Sequence, residues 1–160
     1  MRIRPFHDTD LSALKEITVE AFDGASIDQM IERRFGLLNG GDWRGRKARN
    51  IDADVERDAK GTFVAETDGE VVGYVTTWTD AEAGIGHIPN VAVRAGHRGH
   101  GIGRQLIDHA LDHFRRMGMT HARIETLESN KVGHHLYTSI GFEEITRQVH
   151  FIMALDGEED

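Results

Sequence analysis

The run Val91-Ala92-Val93-Arg94-Ala95-Gly96-His97-Arg98-Gly99-His100-Gly101-Ile102-Gly103-Arg104 constrains the fold more than any other stretch of the 160 residues. It opens on a short apolar strand and closes on a helix, predicted over 101–117, in which Ile102, Leu106, Ile107, Ala110, Leu111, Phe114 and Met117 share a face before Gly118. The chain must therefore turn from strand to helix across Gly99, Gly101 and Gly103, residues that leave the backbone bare. Amide N–H groups at the positive end of a helix can then approach an anion, so the turn reads as a cradle for a phosphate-bearing ligand.

Two familiar phosphate motifs do not fit. A dinucleotide fold places G-x-G-x-x-G after its first strand, whereas here the order is Arg98-x-x-Gly101-x-Gly103, past the middle of the chain. A mononucleotide loop ends in Gly-Lys-Ser/Thr, and Gly103 is followed by Arg104 and Gln105. Length sets one domain over 1–160, ending in an acidic tail at about 156–160. No apolar run reaches the roughly 18 residues of a membrane span, and Met1 to Phe6 does not lead into a secretory apolar segment, so a cytoplasmic location and no membrane partner are expected. The chain has no cysteine, which excludes disulfides, thiolate metal sites and a thiol nucleophile. A net charge of −8 argues against a nucleic-acid partner, which needs a basic surface, and suits a cationic one.

The remaining elements follow from patterning. Ile3 to Phe6 is a predicted strand, and Asp8 or Thr9 caps a helix carrying Leu11, Leu14, Ile17, Thr18, Ala21 and Phe22 to near Gly24. Ser26 with Gln29 forms a predicted capping box for a second helix, with Ile27, Met30, Ile31 and Phe35 turned inward before Gly36. A third helix is predicted around 48–59. Residues 62–67 and 70–78 flank Asp68-Gly69, the signature of a hairpin with a type I′ turn. A strand over 84–93 contains Pro89, which cannot donate to a ladder and predicts a bulge or interruption. His109 and His113 lie four apart beside the apolar stripe of their helix with no third ligand, so no metal is expected, and most of the ten histidines are read as surface residues. Val149 to Leu155 is a closing strand, apolar enough for a homodimer contact.

The hexamer Arg98-Gly99-His100-Gly101-Ile102-Gly103 resembles the acetyl-CoA loop of the GNAT N-acetyltransferase superfamily, Gln/Arg-x-x-Gly-x-Gly/Ala. A second match lies downstream: strand 121–127, Asn130, then a short helix holding Leu136-Tyr137 and ending in Gly141-Phe142. The resemblance is good from about Gly61 onward; before that only the helix pattern corresponds. It implies a GNAT acyl-CoA N-acyltransferase fold of the α/β (α+β) class, with a mixed, mostly antiparallel sheet of about six to seven strands flanked by helices. In that fold the strand before the loop parts from its parallel neighbour, and the pantetheine arm of acetyl-CoA enters the gap. Val91, Ala92 and Val93 would then contribute backbone groups, Val91 near the thioester carbonyl. Arg98, Gly99, His100, Gly101, Ile102, Gly103 and Arg104 would hold the pyrophosphate, and Asn130 would support the coenzyme, although an Asn before a helix is also a routine N-cap.

The implied reaction is direct acetyl transfer from acetyl-CoA to a primary amine of a small molecule or peptide. A lysine-like amine of pKa near 10.4 is neutral in about one molecule in 10³ at pH 7, a cost of roughly 4 to 5 kcal/mol, whereas an α-amine faces only about 1 to 1.5 kcal/mol. His87, on the strand leading to the loop, is the preferred proton acceptor, directly or through water, with Glu125 and Glu82 in reserve. Tyr137 would protonate the departing thiolate. Phe22, Asp23 and Ile27, with Tyr74, Trp78 and Trp43, are candidate walls of the acceptor site. A noncatalytic acyl-CoA binding or sensing module is the alternative from another class, and a nucleotide-binding domain would be recognised by competition from ATP or NAD.

Overall fold

A computed structural model describes residues 1–156, so most of the expected acidic tail lies outside the described residues. The chain forms β1 (Arg2–Pro5), α1 (Leu11–Ala21), α2 (Ile27–Phe35), α3 (Trp43–Arg57), β2 (Phe63–Thr67), β3 (Glu70–Asp80), β4 (Ile85–Val93), α4 (Ile102–Arg116), β5 (His121–Ile124) and α5 (Lys131–Ile140). The five strands make one sheet in the order β1-β2-β3-β4-β5, antiparallel except for the parallel pair β4 and β5. The α/β class with a mixed, mostly antiparallel sheet agrees with expectation. The strand count falls short of six to seven because the predicted closing strand, Val149 to Leu155, is paired with nothing and stands in solvent.

Local chemistry explains most boundaries. Asp68 and Gly69 both have positive φ (51° and 79°), as the type I′ turn between β2 and β3 demands. Asp42 caps α3 by accepting from the Gly45 amide at 3.0 Å, which starts that helix five residues before the predicted position. The predicted capping box of α2 forms only in part. The Ser26 side chain accepts from the Asp28 amide, but Gln29 reaches back to the Gly24 amide and to Asp23. Met30, predicted inward, is exposed.

The sheet separates two cores. On one face Leu106, Ile107, Ala110 and Phe114 of α4 cover Phe63, Val72, Val75 and Ile88. On the other, Leu14, Ile17 and Ile51 from α1 and α3 cover Val64, Tyr74 and Ala92. The Tyr74 hydroxyl is 2.6 Å from Thr18 Oγ1, so this fully buried phenol is satisfied internally. His109 and His113 are half-buried: both rings lie edge-on to Phe63, at 4.5 and 5.1 Å, and burial lowers both pKa values.

Gly86 of β4 lets α4 approach closely, since a Cβ there would sit 2.3 Å from Phe114 Cγ. Gly86→Ala is expected to destabilise the fold by about 1–3 kcal/mol through overpacking. The readout is a lower urea midpoint at unchanged slope.

Candidate active site

Pairing between β4 and β5 runs from Ile85 with His121 to Ile88 with Ile124 and stops there. At that point β4 carries a bulge: Trp78 pairs with His87 and Thr76 with Asn90, so Ile88 and Pro89 together face Thr77. This is the interruption that Pro89 predicts. Beyond it β4 continues to Val93 beside β3, and its other edge is free of β5. The expected splayed parallel pair is therefore present, with Val91, Ala92 and Val93 along its open side. Ala92 turns its side chain into the α1 core, so it offers the gap only main-chain groups.

The cradle follows directly. A single 3-10 turn at Ala95–His97 leads to Gly99 and Gly101, whose φ values of 80° and 78° put both in the left-handed region. Gly101 is the N-cap of α4. Among the described residues no backbone acceptor takes the amides of Gly99, His100 or Gly101, and Ile102, Gly103 and Arg104 form the first helical turn, whose N–H groups have no partner within the helix. Ile102 is otherwise committed to the core.

The predicted cationic side chains are partly engaged. Arg98 Nε donates to the Val93 carbonyl at 3.1 Å, His100 Nδ1 lies 3.4 Å from the His97 carbonyl, and Arg104 bonds Ser139 Oγ on α5. Asn130 is a helix cap: its Oδ1 accepts from the Gly133 amide at 3.1 Å and its Nδ2 donates to Thr126 at 2.8 Å.

Tyr137 is half-buried on α5, edge-on to Phe142 at 6.3 Å, and burial raises its pKa. Its helix is joined to the cradle by the Arg104 to Ser139 contact and by packing of Leu136 near Gly103, where an added Cβ would meet Leu136 Cδ2 at 3.8 Å. His87 stacks flat on Trp78, with ring centroids 3.9 Å apart and planes at 3°. Desolvation lowers its pKa from the ordinary histidine value, and the Arg123 charge adds to this. A cavity of about 160 Å³ is lined by Trp78, His87, Ile88, Pro89, Arg123 and Glu125. His87 and Glu125 thus share one space; Glu82, in the turn between β3 and β4, does not line it.

Two of the predicted acceptor walls belong to the core: Trp43 and Tyr74 are fully buried. Trp78 does line the cavity, and the Arg57 guanidinium lies 3.5 Å from its ring centre. The sequence reading missed a buried polar network behind the splay. Asp54 of α3 accepts from Thr76 Oγ1 at 2.9 Å and Asn90 Nδ2 at 2.7 Å, while Lys47 donates to Asn90 Oδ1 at 3.1 Å and lies 4.0 Å from the centre of the Phe22 ring. Desolvation raises the Asp54 pKa and lowers that of Lys47. The only trace in the sequence was the helical spacing of Lys47, Ile51 and Asp54; their partners lie 22 to 43 residues away.

A splayed parallel strand pair running into a glycine-lined turn defines the α/β class of this fold. The sequence model of the acetyltransferase (GNAT) family matches residues 25–142, and the chain belongs to that family. It is 34% identical over 153 residues to mycothiol acetyltransferase of Thermomonospora curvata, covering 87% of this chain and 49% of that protein. It is also 34% identical over 71 residues to the ribosomal protein bS18-alanine N-acetyltransferase of Escherichia coli K12, covering 44% and 48%. The chain thus spans half or less of the length of these curated relatives. The fold is shared with PaiA N-acetyltransferase of Thermoplasma acidophilum, solved in complex with coenzyme A, at a TM-score of 0.71 and 19% identity over 89% of both chains.

Proposed function

We propose that this protein transfers an acetyl group from acetyl-CoA directly to a primary amine of a small molecule or peptide. The observation that carries the reading is the end of β4 and β5 pairing at Ile88 and Ile124, on the same strand that leads into the unpartnered amides of residues 99–101. Those amides and the first turn of α4 receive the pyrophosphate, and the free edge of β4 at Val91 and Val93 receives the pantetheine amides as a neighbouring strand would. An N–H near Val91 polarises the thioester carbonyl. The amine nitrogen attacks that carbon, a C–N bond forms, the C–S bond breaks, and Tyr137 returns a proton to the thiolate. His87, whose pKa desolvation lowers, takes the proton released by the amine, directly or through water.

Relatives named for mycothiol and for the alanine of a ribosomal protein leave both small-molecule and peptide amines as acceptors. An α-amine demands less of the base than a lysine does. The test is thiol release from acetyl-CoA across an amine panel, with mass spectrometry of the products. Acceptor-dependent thiol release with an acetylated product supports the reading; tight coenzyme A binding without it makes the protein a sensing module.

A pH profile tests the base. With a low-pKa acceptor, the rate is expected to fall as pH drops through a value below 6.5, the direction in which burial moves His87. His87→Gln is expected to cost about 10²-fold or more and to remove that limb. A limb that survives the substitution in the carboxylate range assigns the role to Glu125.

A further inference from the structure

The bulge at Ile88 and Pro89 resets the register of β4 so that His87 stands directly opposite Trp78 on β3. Side chains paired in this way across two strands touch, and here the imidazole lies flat on the indole. The other half of the arrangement comes from α3. The Arg57 guanidinium carbon is 3.5 Å from the centre of the same indole, on which the imidazole is centred at 3.9 Å. Two groups each in van der Waals contact with one ring centre cannot share a face of that ring. Trp78 is therefore sandwiched, with Arg57 on one side and, on the other, the imidazole that lines the cavity with Pro89, Arg123 and Glu125.

This sandwich acts on His87 in two ways. A flat stack fixes the plane of the imidazole, so its nitrogens keep one direction relative to the cavity. The second effect is electrostatic. An indole face attracts a cation, so Trp78 alone favours the imidazolium. A guanidinium on the opposite face already engages that attraction and repels a second positive charge through the ring, which favours the neutral imidazole. Desolvation is the largest influence on His87 and acts in the same sense, as does Arg123 on β5, while Asp80 on β3 and Glu125 beyond β5 oppose them.

We propose that Arg57 is a positioning residue for the acetyl transfer: acting through Trp78, it clamps the His87 ring and biases it toward its proton-accepting form, a role that rests on reading His87 as the base. Arg57 touches neither His87 nor the cavity lining, so it works only through the indole between them. It is exposed at the last residue of α3, and a substitution there leaves both cores as they are.

Two measurements on the full chain test this role. Imidazole resonances followed by NMR across pH give the His87 pKa directly, with the signal assigned by its loss in His87→Gln. Thiol release from acetyl-CoA with a low-pKa amine gives the acidic limb of kcat/KM, which reports the base in the free enzyme. Arg57→Gln is expected to raise the His87 pKa by roughly 0.4 and to move the acidic limb to higher pH by the same amount. Arg57→Lys keeps a cation over the ring and is expected to restore both to their wild-type positions. A His87 pKa that ignores Arg57→Gln, or that moves equally in Arg57→Lys, overturns the proposal, because the contact is then structural only. A pKa that moves while the rate shows no matching movement overturns it too, and the fault then lies in taking His87 as the base and not in the stack.

Discussion

Tyr137→Phe is expected to lower the turnover of amine acetylation by about a hundredfold or more while leaving coenzyme A affinity nearly intact. The ring is retained, so packing against Phe142 and the α4 core is preserved. What disappears is a phenolic proton that burial keeps in place, since the Tyr137 pKa lies above its ordinary value. A thiolate leaving without a donor raises the barrier only in the transition state, so kcat and kcat/KM should fall together. Steady-state thiol release with a calorimetric titration of coenzyme A checks both halves. An unchanged rate across pH removes Tyr137 from the chemistry.

The second large effect concerns stability and lies at the opposite edge of the sheet. Arg4 donates to both carboxylate oxygens of Asp10, at 2.8 and 3.0 Å, and to Glu66 at 2.8 Å, while Asp10 also accepts from the His7 amide at 2.8 Å. Asp10 is only 6% exposed. Arg4→Ala strands that charge and is expected to cost about 3 kcal/mol, a fall in Tm of roughly 6–12 °C for a domain of this size.

The pH dependence has a definite sign. The bond from Arg4 is the main cause holding the Asp10 pKa below 3.8, so its stabilisation is complete above that value and is lost as pH falls through the lower, folded-state value. Thermal unfolding by circular dichroism should therefore show wild type and variant converging in acid. A gap that stays constant down to that range contradicts the assignment.

Elements built from near neighbours were legible in the sequence. The Asp68-Gly69 hairpin, the glycine turn into α4, the Pro89 interruption and Asn130 ahead of α5 each rest on residues a few positions apart, whose backbone preferences hold in any surroundings. Helix starts were less legible: α3 begins at Trp43 and not near 48, and neither Asp8 nor Thr9 caps α1, whose N-cap is Asp10 without a side-chain cap bond. At α2 the Gln29 side chain had another partner in Gly24, and the expected box gave way.

Burial and long-range pairing were not legible. Trp43 and Tyr74 looked like a ligand wall because aromatic residues serve both purposes; both are buried, Tyr74 through the packing of α1 and α3 on β3. The network of Lys47, Asp54, Thr76 and Asn90 joins three elements, so no window of sequence contains it. Val149 to Leu155 has the apolar character of a strand, but apolar character does not specify the edge that would bury it. By itself the sequence determined where this chain turns, caps and bares its amides, because those are local steric and hydrogen-bonding facts. Tertiary structure decided which side chains face the gap between β4 and β5 and which edge stays open, because those depend on contacts between residues far apart in the chain.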